Sequence, residues 1–210
     1  VVFGLDLLQL GNSRLISQQH VVVVGSGRQI VQSGLGLVEI EFIAGQVDFA
    51  GSDSALKSDE GEVEGAKQRC GGNEAWNLPM VVGPISVAYN VEGVDQLVLD
   101  ASTTAQIFSG AIKKWNDPAI AALNKGATLP DANITVFYRS DESGTTENFT
   151  KYLAAAAPKD WTKEPAKIWT GTGEGKEKST GVQQATIQQA NSITYVEWSY
   201  AKDAALGIAA

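Results

Sequence analysis

A chain of 210 residues with 43% hydrophobic and 19% charged side chains is long enough for one large domain or two small lobes, and too apolar for wholesale disorder. Sixteen basic against 24 acidic residues leave a net charge of −8 and a pI near 4.7, which argues against nucleic acid or an anionic membrane surface as the main partner. One Cys and one His exclude an internal disulfide and a Cys/His zinc site, and no apolar run reaches the roughly 18 residues of a membrane span.

The opening VVFGLDLLQL carries neither a basic n-region nor a small-residue cleavage site. Val21–Val24 followed by Gly25-Ser26-Gly27 predicts a buried strand ending in a turn. His20 follows two glutamines with no nucleophile pattern nearby and reads as an ordinary surface or strand-edge residue. VEIEFIAGQ predicts a short helix closed by Gly45, and VDFAGSD a strand ending at Asp53. Lys57–Arg69 is polar throughout and predicts a solvated helix or loop without calcium-loop spacing. Cys70 in RCGG is either a small buried apolar group or half of a bridge whose partner is outside this chain. LPMVVGP and ISVAYNV predict two apolar strand runs.

A helix begins over Thr103–Phe108, with Ser102 as its cap, and runs towards Lys113. A second enters through Asp117-Pro118, with Pro at the first helical position. ITVFYRS alternates as a strand, and ENFTKYLAAAAP predicts a helix stopped by Pro158. GTGEGKEKSTG reads as an exposed loop before a helix over VQQATIQQA, and ITYVEWSYA as a closing strand. Alternating strands and helices give an α/β fold with mixed and parallel pairing. Five scattered Trp favour core and lobe packing over a stacking platform.

Three constellations could carry chemistry. In Tyr138-Arg139-Ser140-Asp141-Glu142-Ser143-Gly144-Thr145-Thr146, a strand runs into a helix. The helix start offers unpaired N–H groups and partial positive charge, Ser143 and Thr145 add hydroxyls, Gly144 permits close approach, and Arg139 offers two parallel donors. The same residues also describe a capped helix beside a surface Arg, and Asp141 and Glu142 oppose an anion unless they point away. The second constellation is Asp53 among small residues after a strand, which alone reads as a turn or cap. Gly25-Ser26-Gly27 is the third, a phosphate-loop fragment without a full GxGxxG or Walker A pattern.

VDFAGSDSAL, LVLDASTTAQIFSGAIKKWNDPAIAALN, RSDESGTTENFTKYL and SITYVEWSYA together resemble the phosphate-binding proteins (PstS) of bacterial phosphate ABC transporters, in the family's order. The match runs from about Gly34 to the C-terminus, and RCGGNEAWNLPMVVGP looks most like actinobacterial members. The resemblance implies a periplasmic-binding-protein type II fold, a two-lobed Venus flytrap. Lobe I would lie before residue 84, lobe II over 84–201, with 202–210 a C-terminal tail. It implies a monomeric extracytoplasmic protein, not an enzyme, that captures inorganic phosphate without a cofactor or metal and delivers it to an ABC permease. By motif, Arg139, Ser143, Gly144 and Thr145 surround the phosphate and Asp53 accepts a phosphate proton.

The chain departs from the family pattern in three places. No TGAG-type loop occurs in residues 1–20. The family's GSGSG-like loop reads Gly34-Leu35-Gly36-Leu37 here, with Ser26 nine residues earlier as a displaced ligand. The sequence ends soon after YVEWSYA, where members continue, so lobe I is expected to be incomplete and the natural chain longer. The rival readings are an interaction subunit that has lost transport, and a phosphate-ester hydrolase on the same fold.

Overall fold

The computed structural model describes residues 15–23, 30–32, 38–52 and 55–210, with residues 15–23, 30–32, 38–39 and 79–82 described by backbone alone. Its organising element is β4 (Trp76–Asn90), a strand of 15 residues. One edge of β4 pairs antiparallel with β1 (Leu15–Val23) from Val23↔Trp76 to Leu15↔Ile85. Its later half pairs antiparallel with β7 (Ser192–Glu197) from Ile85↔Glu197 to Asn90↔Ser192. LPMVVGP and ISVAYNV are therefore one strand, not two. Pro79 lacks an N–H for the ladder, and the β1 register slips opposite it, between Gln19 and His20. The expected 83/84 boundary falls inside β4, where its neighbour changes from β1 to β7.

The sheet runs β2 (Ile30–Gln32), β3 (Phe49–Ser52), β1, β4, β7, β5 (Thr135–Arg139), β6 (Glu174–Lys176), with β8 (Gly207–Ile208) also on β4. His20 lies in β1 between β3 and β4, so its backbone is interior to the sheet and not at an edge. Parallel pairs β2–β3, β5–β6 and β5–β7 combine with antiparallel ones, giving the mixed α/β sheet expected.

Period-two alternation in β7 divides the core. Ile193 and Tyr195 enter the main cluster with Tyr89, Phe108, Trp115, Phe149 and Trp161. Val196 joins Ala88, Val182 and Ala201 on the other face, beneath α6 (Lys178–Gln188) and α7 (Trp198–Asp203). A smaller cluster of Phe42, Val47, Ala50, Leu56 and Ala66 lies under α1 (Val38–Ile43) and α2 (Glu62–Arg69). Trp115 and Trp161 are core residues, whereas Trp76 and Trp198 are 64% and 45% exposed, so core packing accounts for only part of the Trp set.

Helix ends follow local chemistry with one correction. α3 (Ala101–Ser109) is capped by Asp100, which accepts from the Thr103 N–H at 2.7 Å. Ser102 is instead inside the helix and donates to Asp160. The helix stops at Gly110, so Lys113 lies on an exposed loop beyond it. α4 (Pro118–Leu123) starts through Asp117-Pro118 as predicted. α1 is followed by Gly45 at φ +72°, and α5 (Gly144–Ala156) ends before Pro158.

Two expectations about the C-terminal third are overturned. The 171–180 segment holds β6, paired parallel with β5, and the first residues of α6. Gly173 has φ +121°, and a Cβ there would stand 2.4 Å from the Val136 carbonyl oxygen, so this glycine permits backbone contact and not loop freedom. Strand β7 stops at Glu197, where WSYA turns into α7. Residues 207–208 return to β4, and the Ala210 N–H donates to the Leu97 carbonyl.

Candidate phosphate site

The strand-to-helix junction after β5 is built from buried polar groups. Ser143 is the N-cap of α5: its Oγ accepts from the Thr146 N–H at 3.4 Å, and its own N–H donates to the Lys167 carbonyl at 3.0 Å. A hydroxyl that accepts in this way still has a proton to donate. The 13-residue helix directs its first-turn N–H groups and positive dipole end at the same corner. Ser143, Thr145 and Thr146 are all buried, so these donors are screened from competing water.

Arg139, at the end of β5, is 2% exposed. Asp141 clamps it: Nε donates to Oδ1 at 2.9 Å and Nη2 to Oδ2 at 2.5 Å, while Nη1 donates to Ser179 Oγ at 3.1 Å. Asp141 also accepts from the Lys178 N–H at 2.9 Å, so it caps the N-terminus of α6. Burial pushes the Asp141 carboxyl up, but the Arg139 and Lys178 hydrogen bonds outweigh it and hold the group below the usual carboxylate range. Burial likewise works against the Arg139 charge, and Asp141 more than restores it. The acid beside the arginine does not point away; it fixes the plane of the guanidinium.

Behind this corner, Tyr195 OH accepts from the Arg139 N–H at 3.2 Å and shares a 2.6 Å hydrogen bond with Thr146 Oγ1. Burial pushes the Tyr195 phenol far up, so it stays protonated. Thr145 Oγ1 donates to Glu197 Oε1 at 2.6 Å. Glu197 Oε2 is buried without a hydrogen-bond partner among the described residues. Glu147, one turn into α5, is 3% exposed and pairs with Lys151 at 2.9 Å and Lys57 at 3.3 Å. Burial raises its carboxyl, and the two lysines reverse the shift to hold it low.

Of the residues singled out by sequence, Arg139, Ser143, Gly144 and Thr145 come together at this junction. Asp53, Ser26 and the Gly34–Leu37 segment lie outside the described residues. Cys70 is half-buried against the small cluster, and no disulfide joins it among the described residues. No group of His, Cys, Asp or Glu suited to a metal ion occurs among the described residues. Sequence reasoning missed the Asp141 clamp, Ser179, Tyr195 and Glu197. The last two sit in the SITYVEWSYA motif but touch the site only through pairing of β5 with β7.

A family model described as a PBP superfamily domain matches residues 32–210. Phosphate-binding protein PstS 3 of Mycobacterium leprae is 49% identical over 170 residues, covering 80% of this chain and 45% of the relative. Phosphate-binding protein PstS3 of Mycobacterium bovis BCG is 48% identical over 191 residues, covering 90% and 51% respectively. The chain thus spans about half the length of the curated relatives it matches. A solved periplasmic phosphate-binding protein, PfluDING, bound with phosphate at pH 8.5, is 26% identical with a TM-score of 0.60 over 76% of this chain and 45% of its own. The mixed sheet with β4 at its centre is thus a type II periplasmic-binding-protein architecture, and the chain belongs to the PBP superfamily.

Proposed function

We propose that this chain captures inorganic phosphate outside the cytoplasm and delivers it to an ABC permease. The observation that carries the reading is the buried junction itself: a clamped Arg139 and the capped start of α5, with Ser143 and Thr145, converge where sequence motif and chemistry both place an oxyanion. The names of the relatives support phosphate as that oxyanion. Two lobes, divided near residues 83 and 84, close on the ligand and replace its hydration with fixed donors. Asp53 supplies the one acceptor, and Ser26 a hydroxyl from lobe I. No bond is made or broken.

The role of Asp53 sets selectivity. A carboxylate facing an anion repels it unless the anion carries a proton to donate. Phosphate near neutral pH has a P–OH; sulfate has none, so its oxygens would meet the carboxylate lone pairs. A site built to accept from a ligand hydroxyl can discriminate by about 10⁴–10⁵. Calorimetric titration between pH 6 and 8.5 tests this. Wild type should bind phosphate and arsenate and ignore millimolar sulfate, and Asp53→Asn should narrow the gap because an amide can donate to either anion. Equal binding of sulfate by wild type, or an unchanged ratio in Asp53→Asn, would assign Asp53 to a turn.

A further inference from the structure

The start of α5 is held from a distance by charged side chains that ligand contact does not require. Glu62, the first residue of α2, is 9% exposed; its Oε2 accepts from the Lys57 N–H at 2.8 Å and its Oε1 lies 3.5 Å from Lys167 Nζ. Lys167 is 8% exposed, and its backbone carbonyl receives the Ser143 N–H at 3.0 Å. On the other side of Ser143, the Glu147 N–H donates to the Ser143 carbonyl at 3.0 Å, and the Glu147 side chain pairs with Lys57 Nζ at 3.3 Å. Residues 57–62 therefore grip both flanks of the helix cap through two ion pairs of opposite polarity. A shifted docking would bring Lys57 to Lys167 or Glu62 to Glu147, so the pattern specifies one register. The Glu62–Lys167 pair is buried, and a buried pair adds little net stability over apolar residues and is best explained by the geometry it selects.

We propose that Lys57 and Glu62 are positioning residues for the anion loop. Docked on Glu147 and Lys167, they hold Ser143 and the first turn of α5 in the ligand-receiving arrangement. The inference rests on the phosphate-capture reading for its ligand and on the ion pairs for its mechanism.

The test separates stability from affinity in the full chain. Glu62→Gln keeps an acceptor for the Lys57 N–H but leaves the buried Lys167 ammonium unpaired, so both stability and inorganic-phosphate affinity should fall. Glu62→Gln/Lys167→Met removes both charges and should recover the melting temperature. Its phosphate affinity should stay weaker by about tenfold, expressed as faster dissociation. Lys57→Met should act in the same direction. Without ligand, amide hydrogen exchange over residues 143–147 should be about tenfold faster in the double variant than in wild type. Affinity that returns together with stability, or unchanged exchange over 143–147, would overturn the proposal and leave the cluster a structural contact. A wild type that takes up no phosphate would instead defeat the capture reading, and the exchange measurement would still decide this one.

Discussion

Asp141→Asn changes one atom type and tests the electrostatic core of the site. In wild type the carboxylate accepts from three donors: Arg139 Nε at 2.9 Å, Arg139 Nη2 at 2.5 Å and the Lys178 N–H at 2.9 Å. An amide offers one oxygen, and its NH₂ group would face a guanidinium donor in a place where the two side chains are 2% and 11% exposed. Breaking a buried pair from one side costs about 3–5 kcal/mol, and weakening the cap on α6 adds about 1 kcal/mol. Some relaxation of Arg139 offsets this, so a loss of about 3 kcal/mol is expected at pH 7. With a urea slope of about 2 kcal/mol/M, the unfolding midpoint should drop by roughly 1.5 M. The pH dependence gives an independent check. The Asp141 carboxyl is held below its ordinary value of 3.8 in the folded chain, so its contribution is fully present above that value and is lost as pH falls through the lower folded one. The gap between wild type and Asp141→Asn should therefore be widest near neutrality and shrink at pH values below about 4. A midpoint shift under about 0.3 M at pH 7, or the same shift at pH 7 and pH 3, would refute the clamp.

Arg139→Ala should weaken phosphate binding by about 1.5–3 kcal/mol in calorimetry, because it removes a charged donor from a desolvated site, while Lys113→Ala, on an exposed loop, should change it by less than about 0.5 kcal/mol. Tyr195→Phe strips the acceptor of the buried Arg139 N–H and the partner of Thr146 Oγ1; urea unfolding should show a loss of about 2 kcal/mol or more. Gly173→Ala must place a Cβ 2.4 Å from the Val136 carbonyl oxygen at φ +121°, so β6 should separate from β5 with a loss of about 2–4 kcal/mol in the same assay.

What was legible in the sequence was whatever local chemistry decides. The Asp117-Pro118 entry, Gly45 after α1 and the Ser143 cap each depend on a few adjacent residues. The proposal of an anion corner at the start of α5 rests on the same local rule. Elements that depend on a neighbour were not legible. Glu174-Gly175-Lys176 has no apolar alternation, and it is a strand because β5 presents an edge beside it. β4 continues through Pro84, where the two expected strand runs meet, because β1 pairs with it from Trp76 to Ile85 and β7 takes up the pairing from Ile85 onwards. The Asp141 clamp was half visible: an acid two residues after Arg139 announced a charge conflict, but its sign depended on where the side chain turned. Glu62 and Lys167 are 105 residues apart, and nothing in KSDEGEVEGAKQR separates the one buried acid from the exposed ones.

These contacts also bear on how a chain with net charge −8 would hold the anion proposed for it. Arg139 is matched by Asp141, while Glu147 and Glu197 stand beside the first turn of α5, so the described part of the corner has no surplus of positive side-chain charge. Under the proposed reading, attraction comes from oriented neutral donors, the first turn of α5 and the Ser143 hydroxyl, in a buried setting where each acts more strongly than in water, while the Thr145 hydroxyl spends its one proton on Glu197. Such donors depend on position and not on net charge, since a dipole turned aside loses its effect while a point charge keeps most of its own. That is the physical reason for the rigidity of this corner. Asp141 fixes a guanidinium plane, Tyr195 and Thr146 lock the strand to the helix, and Glu62 reaches Ser143 through Lys167. The buried acids are thus compatible with the proposed anion binding because they hold the donors in place.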